Sequence, residues 1–223
     1  MKHTNEVLKQ EHSAVQSCPL CRQAAAFFQN PDDISYFHCA ECGSVFMDIN
    51  RRLDSEDELK RYRLHNNDVT DPGYRRFVQP VASHVLSNYT PAHAGLDFGS
   101  GPSSAISCIL QENNYWIHQY DPFFYPETRL LSQTFDYIVC CEVMEHFYRP
   151  RTEFENLFNM LEPGGQLICM TDLLQESVKF KSWYYRNDPT HVFFYTSKTI
   201  RWLKEHLGFY DVKTENRLIV FTK

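Results

Sequence analysis

The stretch "LDFGSGPSS", residues 96–104, decides the fold. An apolar, strand-like run stops at Phe98, and a helix is predicted to begin near Pro102. Gly99 and Gly101 let the backbone turn sharply and approach a ligand, while the free N–H groups of a helix start attract polar groups. Ligands of open α/β sheets bind at this end of a strand. The stretch therefore predicts a binding site after the first strand of a parallel sheet.

The sequence that follows supports a parallel sheet covered by helices. From Gly95 onward, apolar strand-like runs alternate with amphipathic segments, which is typical of this arrangement. The next run, "YWIHQYDPFF", ends in Asp121, and an acid at that position commonly accepts hydrogen bonds from ribose hydroxyls. A full nucleotide fingerprint would have a third glycine where Ser103 and Ser104 stand. A tight strand-to-helix turn that binds nothing is therefore the alternative for the first stretch.

Composition excludes several classes of protein. The chain has 223 residues, of which 43% are hydrophobic and 15% aromatic, so it is neither disordered nor fibrous. It shows no signal sequence and no run long enough to span a bilayer, so we expect a soluble, cytoplasmic protein without a membrane partner. The net charge of −6 weighs against a nucleic-acid surface, which needs clustered basic groups. Oligomeric state is not predicted.

Four of the eight cysteines have the spacing of a metal site. "CPLC" (residues 18–21) and "CAEC" (residues 39–42) are separated by seventeen residues, which suits two knuckles of one four-thiolate zinc site. Two disulfides or a redox pair are the alternatives, but neither explains paired copies in a chain without a secretory signal. Four protein ligands leave no open position, so the zinc is predicted to be structural. The predicted ligands are Cys18, Cys21, Cys39 and Cys42.

Four motifs, taken in order, carry a family resemblance. "LDFGSGPSS", "YDPFF", "FDYIVCCEVMEH" and "LEPGGQLICMT" resemble the successive motifs of class I S-adenosylmethionine-dependent methyltransferases, over roughly residues 74–223. The resemblance implies an α/β fold with a Rossmann-like, seven-stranded sheet, closed by a C-terminal helix and hairpin. It also implies S-adenosylmethionine as cofactor, held by Asp97, Gly99, Ser100, Gly101, Asp121, Pro122, Phe123 and Glu142. We predict a zinc-ribbon domain at 1–50, linking helices at 51–90 and the methyltransferase domain at 91–223.

The sequence departs from this family after the second strand. Only thirteen residues separate Asp121 from Phe135, too few for the usual helix, third strand and acidic adenine contact. The third strand is therefore predicted to be at most "TRLL", residues 128–131. We expect the adenine ring to be recognised by apolar packing and backbone groups.

Candidate catalytic groups follow the fourth strand and lie in a later insertion. A histidine near the methyl group is a natural base, which favours His146 and, in "WYYRNDPTHVFFY" (residues 183–195), His191. A helix beginning near Glu142 would place Glu142, Glu145 and His146 on one face, where with His191 they could hold magnesium. This E-x-x-E-H pattern is similar to metal sites of some O-methyltransferases. The alternative is that the acids favour a helix start, Glu142 touches the cofactor and His146 acts alone.

The ribbon and domain together resemble bacterial methyltransferases acting on sugars and other small metabolites. We therefore expect methyl transfer from S-adenosylmethionine to a small metabolite or glycan precursor, most simply at oxygen. An RNA methyltransferase that grips its substrate with the ribbon is one alternative, since some ribosomal-RNA enzymes also carry a ribbon. A catalytically silent cofactor-binding module is the other.

Overall fold

A computed structural model describes residues 15–64 and 67–223. Residues 1–14 of the predicted ribbon domain, and with them His3 and His12, lie outside the described residues, as does His65. The described residues form eleven strands: β1 (Val15–Ser17), β2 (Ala24–Gln29), β3 (Tyr36–His38), β4 (Val45–Met47), β5 (Gly95–Phe98), β6 (Ile117–Tyr120), β7 (Phe135–Cys141), β8 (Leu161–Met170), β9 (Phe193–Phe194), β10 (Asp211–Glu215) and β11 (Leu218–Thr222). The α-helices are α1 (Ser55–Tyr62), α2 (Pro72–Asn88), α3 (Ala105–Glu112), α4 (Pro150–Asn159) and α5 (Ser197–Leu207).

The main sheet confirms the predicted parallel α/β core and C-terminal hairpin. Its order is β10-β11-β8-β7-β5-β6. The pairs β8–β7, β7–β5 and β5–β6 are parallel, whereas β11 runs antiparallel to β8 and forms a hairpin with β10. This topology brings the carboxyl ends of β5, β6 and β7 to one edge of the sheet, where a ligand site is expected.

The described part of this sheet has six strands, one fewer than predicted. The segment expected to supply a short third strand forms a 3-10 helix, Thr128–Ser132, instead. The chain between β6 and β7 is too short to add a covering helix and a further parallel strand. As a result β6 ends the sheet.

The helix boundaries follow local capping. α1 begins after Asp54, whose side chain accepts hydrogen bonds from two backbone N–H groups of the first turn. α5 ends at Gly208, which has a left-handed φ of 88°. α3 begins three residues later than the predicted Pro102, because the side chain of Ser104 caps it by accepting from Ser107 N.

The ribbon strands form a second sheet with a strand from the main domain. Its order is β1-β2-β3-β4-β9, all antiparallel, and β9 lies in the insertion, which we define as residues 171–196. Phe46 of β4 pairs with Phe193 of β9, and the two rings stack with centroids 6.3 Å apart. The insertion is thus anchored to the ribbon, and one buried cluster extends from the cysteine site to Phe154 of α4.

A second buried cluster lies under α2 and α3. It contains Val81 and Val85 of α2 and Leu110 of α3, packed against Val139 of β7. None of the described helices combines the length and apolarity needed to cross a bilayer.

Candidate active site

A cavity of about 530 Å³ lies at the carboxyl ends of β5, β6 and β7. The structure brings all the residues that the resemblance assigned to the cofactor into its lining: Asp97, Gly99, Ser100, Gly101, Asp121, Pro122, Phe123 and Glu142. His146 lines the same cavity. Cavities of this size are typical of small-ligand sites.

The loop after β5 depends on glycine. Gly99 has a φ of 76° and Gly101 a φ of 63°, a region that residues with a Cβ rarely adopt. A Cβ on Gly99 would also lie 2.5 Å from Cγ2 of Val143, closer than any real contact. Gly99 and Ser100 each donate a backbone N–H to the carbonyl of Tyr120, at 2.8 and 3.2 Å. The glycine loop is therefore fixed against the end of β6.

Asp121 connects this loop to the turn after β6. One carboxylate oxygen accepts from Gly101 N at 3.0 Å. The other accepts from Phe123 N at 2.8 Å and Phe124 N at 3.1 Å. A carboxylate offers about four acceptor positions, so at least one stays available for a ligand hydroxyl.

Asp97 organises the start of α3. Its carboxylate accepts from the hydroxyls of Ser104, at 2.5 Å, and Ser107, at 2.8 Å. Burial raises the pKa of Asp97 to about 6, although the two serine hydroxyls act in the opposite direction. Nearby, the Ser100 hydroxyl is buried and has no hydrogen-bond partner among the described residues. An unpartnered buried hydroxyl in a ligand cavity is a group that a bound molecule would satisfy.

Glu142 does not begin a helix as predicted. It has a left-handed φ of 53°, and only a 3-10 turn, Met144–His146, follows it. Both of its oxygens bind the Arg217 guanidinium, at 2.7 and 2.6 Å. Burial, and then the neighbouring Glu145, raise the pKa of Glu142 to about 8, and Arg217 opposes this rise. Glu142 does not belong to the cluster of candidate ligand atoms formed by Glu145 and the two histidines.

Glu145 is fully buried and held by the insertion. The Tyr185 hydroxyl donates to one of its oxygens and the Thr171 hydroxyl to the other, the second at 3.1 Å. His191 Nε2 lies 4.0 Å from the same carboxylate. One candidate ligand atom from each of Glu145, His146 and His191 lies within 4.8 Å of the others. The structure thus brings three predicted catalytic residues together.

The two histidines differ in their access to the cavity. His146 Nδ1 lies 3.0 Å from the Thr190 carbonyl, which can only accept, so Nδ1 carries the proton and Nε2 is the basic atom. His191 Nδ1 is held in the same way by the Tyr185 carbonyl, at 2.6 Å, but His191 is not among the residues that line the cavity. Burial and His191 lower the pKa of His146 to about 4, while Glu145 opposes this shift. His146 is therefore neutral at physiological pH.

The helix read as a linker also contributes to the cavity, which sequence reasoning missed. Glu58 and Tyr62 of α1 line it, and the Tyr62 hydroxyl donates to Glu58 at 2.6 Å. The Tyr62 ring contacts those of His146 and Phe123, with centroids 5.4 and 5.7 Å apart. Helical spacing places Glu58 and Tyr62 on one face, but nothing in the sequence indicates what that face contacts.

The four ribbon cysteines form one buried cluster. Their sulfur atoms all lie within 4.8 Å of one another, with Cys18 and Cys42 at 3.6 Å and Cys21 and Cys39 at 3.3 Å. Tetrahedral zinc with bonds of about 2.3 Å places thiolates about 3.8 Å apart, so the donor type and spacing fit a structural zinc site.

Comparison with known proteins decides the family. A family model described as a methyltransferase domain matches residues 74–214. The chain belongs to this methyltransferase family. The ordered motifs and the six-strand sheet order of this methyltransferase agree with that membership. Among curated proteins, no match is found.

Solved structures show the same fold at low sequence identity. An S-adenosylmethionine-dependent methyltransferase from Archaeoglobus fulgidus is 14% identical, with 76% of this chain and 100% of that one covered and a TM-score of 0.53. An O-methyltransferase family protein from Burkholderia thailandensis is 11% identical, with 74% of this methyltransferase covered and a TM-score of 0.50. This methyltransferase spans 61% of the length of the Burkholderia protein.

The cavity of this chain fits the cofactor of the family to which the chain belongs. The lining contains five carboxylates, from Glu58, Asp97, Asp121, Glu142 and Glu153, and no lysine or arginine among the described residues. An acidic surrounding favours a sulfonium cation. The glycine loop permits close backbone approach, Asp121 can accept from a ribose and the unpartnered Ser100 hydroxyl can bind a polar group. Phe123 adds an apolar ring to the lining.

Proposed function

We propose that this protein transfers the methyl group of S-adenosylmethionine to an oxygen of a small metabolite or glycan precursor. Asp97, Gly99, Ser100, Gly101, Asp121, Pro122, Phe123 and Glu142 would hold the cofactor, which supplies a methyl group on a good leaving group. The protein then needs mainly to orient the acceptor and remove its proton.

The placement of His146 is the observation that carries this proposal. Its ring lies in the same cavity as the glycine loop and Asp121. Because Thr190 fixes the proton on Nδ1, Nε2 can take the proton of an acceptor hydroxyl. Glu145, which favours the charged form of His146, would stabilise the resulting imidazolium. His191 would act behind His146, since their ring centroids are 4.8 Å apart.

The charge of the cavity supports a small acceptor that carries no phosphate at the reacting end. No lysine or arginine is among the described residues that line the cavity, so no cation there would bind a phosphate. The lining carboxylates other than Glu142, which is paired with Arg217, would repel one. The cavity volume of about 530 Å³, part of which the cofactor would occupy, also favours a small molecule. Both observations weigh against RNA as the acceptor.

The donor set near His146 does not favour magnesium. Magnesium prefers oxygen ligands, whereas two imidazoles and one carboxylate cluster here. Both oxygens of Glu145 already accept hydrogen bonds, and both oxygens of Glu142 bind Arg217. We therefore base no step on a cation, and we expect activity to survive treatment with a chelator that leaves the zinc content unchanged.

Two further proposals concern organisation and location. We propose a ribbon at 1–50, linking helices at 51–90 and a methyltransferase domain at 91–223. The order of the described elements supports this division, since β4 ends at Met47, α1 and α2 follow, and β5 begins at Gly95. We also propose that the protein works in a reducing compartment such as the cytoplasm. All described cysteines are free, and a thiolate zinc site persists under reducing conditions.

The test measures methyl transfer from labelled S-adenosylmethionine into a fractionated metabolite extract. We expect one labelled small product, and a decrease of about 100-fold or more in His146→Gln. Binding of S-adenosylhomocysteine by this variant should stay within threefold of the wild type, measured by calorimetry. Label entering RNA instead, or cofactor binding without any turnover, would favour the RNA enzyme or the silent module. An equal rate in His146→Gln would exclude His146 as the base.

A further inference from the structure

A second, larger cavity lies between the ribbon and the insertion. Its volume is about 900 Å³, and it shares no lining residue with the cavity of the candidate active site. Its walls come from β2 to β4, from residues 174–181 of the insertion and from the first turns of α5. Three separate segments of the chain therefore converge on it.

The charge of this cavity is opposite to that of the whole chain. Lys179 and Lys181 from the insertion, with Lys198 and Arg201 from α5, line it, and Glu176 is the single acid among its described lining residues. None of these four basic side chains forms an ion pair with a described acid. In a protein of net charge −6, four unpaired cations in one concavity create a local positive potential.

Part of this charge is fixed in position by the ribbon. The Lys198 ammonium donates to the Ala40 carbonyl at 2.6 Å, beside the second cysteine knuckle. The Thr196 side chain, which caps α5, also donates to the Gly43 carbonyl at 3.1 Å. Arg201 follows Lys198 by three residues, so both lie on one helix face. These contacts hold the start of α5 against the ribbon.

Apolar side chains complete the cavity. Phe28, Val45 and Phe180 contribute to its walls, and the rings of Phe28 and Phe180 meet with centroids 5.5 Å apart. Phe28 is 36% exposed, so part of its ring faces outward. Apolar walls with several convergent cations suit an organic phosphate better than a bare ion.

We propose that this cavity is a second ligand site that binds a small molecule through a phosphate or diphosphate group. Lys179, Lys181 and Arg201 would contact the phosphate oxygens, and Phe28 the organic part. The aromatic side chains of Phe180, Trp183 and Tyr185 separate this site from Glu145, with successive centroids 6.3 and 5.3 Å apart. Binding here is consequently independent of the methyl-transfer proposal.

The experiment titrates inorganic pyrophosphate into the full chain with zinc bound, by calorimetry at low and at physiological salt. We expect one pyrophosphate site whose affinity falls as the salt concentration rises. The double variant Lys179→Gln/Lys181→Gln should bind pyrophosphate at least tenfold more weakly. These two side chains make no hydrogen bond to the described protein, so the variant should fold. Arg201→Gln, which removes one of the proposed phosphate contacts, should bind pyrophosphate roughly fivefold to tenfold more weakly.

The controls separate this site from general charge effects. Lys213→Gln, an exposed residue on β10, should bind pyrophosphate like the wild type. S-adenosylhomocysteine affinity and zinc content should not change in any variant. Absence of saturable pyrophosphate binding, or an equal loss in Lys213→Gln, would overturn the proposal. So would tighter binding of a ten-nucleotide single-stranded RNA through the same lysines, because that result indicates a nucleic-acid surface.

Discussion

Removing Arg217 tests the electrostatics of the candidate site. The guanidinium binds both oxygens of Glu142 and lies over the rings of Phe77 and Tyr185, at 5.4 and 5.3 Å from their centroids. Arg217→Met keeps an apolar, flexible chain between the two rings but removes the charge. The variant therefore separates the charge of Arg217, which also lies 3.6 Å from Asp172, from the packing around it.

The expected loss of stability depends on pH. Burial and Glu145 raise the pKa of Glu142 from 4.5 to about 8, and loss of Arg217 would raise it further. At pH 6 the folded wild type and variant both hold Glu142 protonated, so the variant loses hydrogen bonds and the part-exposed pair of Arg217 with Asp172 (3.6 Å), together about 1 kcal/mol. At pH 9 the wild type holds a charged pair. The variant must then bury an unpaired carboxylate or keep a proton that the unfolded chain releases.

The magnitude at pH 9 follows from the exposure of the pair. Breaking a fully buried ion pair costs 3 to 5 kcal/mol, but both side chains here are 26% exposed, so we expect about 2 kcal/mol. For a chain of this length, that loss lowers the melting temperature by about 4 to 8 °C.

Urea unfolding at pH 6 and pH 9 measures this difference. The matched control is Arg151→Met, which breaks the more exposed pair with Glu155 and should cost less than about 0.5 kcal/mol at both pH values. In Glu142→Gln/Arg217→Met the pH dependence due to this pair should disappear. An equal loss at pH 6 and pH 9 in Arg217→Met, or a double variant that keeps the pH dependence, would refute the reasoning.

Three further predictions concern the glycine loop, the zinc and the base. Gly99→Ala should weaken S-adenosylhomocysteine binding at least tenfold and destabilise the protein more than Gly164→Ala. Both glycines have a positive φ, but a Cβ on Gly99 would meet Val143, whereas Gly164 has no neighbour within 4 Å. Equal losses of melting temperature in the two variants would contradict the clash. The protein should contain one equivalent of zinc by metal analysis, which Cys39→Ser loses and Cys108→Ser keeps; less than half an equivalent in the wild type would count against the site. Because the pKa of His146 is lowered to about 4, kcat/KM should stay constant from pH 8 down to about pH 5.5. A fall in kcat/KM with an apparent pKa near 6.5 that is absent in His146→Gln would contradict this.

The sequence predicted those features that local patterns determine. The two glycines of the loop, the acid after β6 and the paired CxxC motifs each depend on a short spacing, and the structure assembles each of them. The C-terminal hairpin that the family resemblance implied also forms, and the helix caps at Asp54 and Gly208 are equally local features.

Features that depend on distant contacts were missed. A helix from Glu142 was predicted on the assumption that periodicity decides the local structure. Instead, Glu142 has a left-handed φ and pairs with Arg217, 75 positions later, so no α-helix begins there. Similarly, β9 joins the ribbon sheet through a pairing that no local pattern indicates. The part of α1 in the cavity depends on how that helix packs, which its sequence alone does not fix.

Binding of S-adenosylhomocysteine tests the central claim most directly. Calorimetry should show one saturable site, with Asp121→Ala weakened at least tenfold and Glu153→Gln, another cavity carboxylate, within threefold of the wild type. Thermal melts should confirm that both variants are folded. Absence of saturable binding, or an Asp121→Ala variant that binds like the wild type, would contradict the assignment of this cavity to the cofactor.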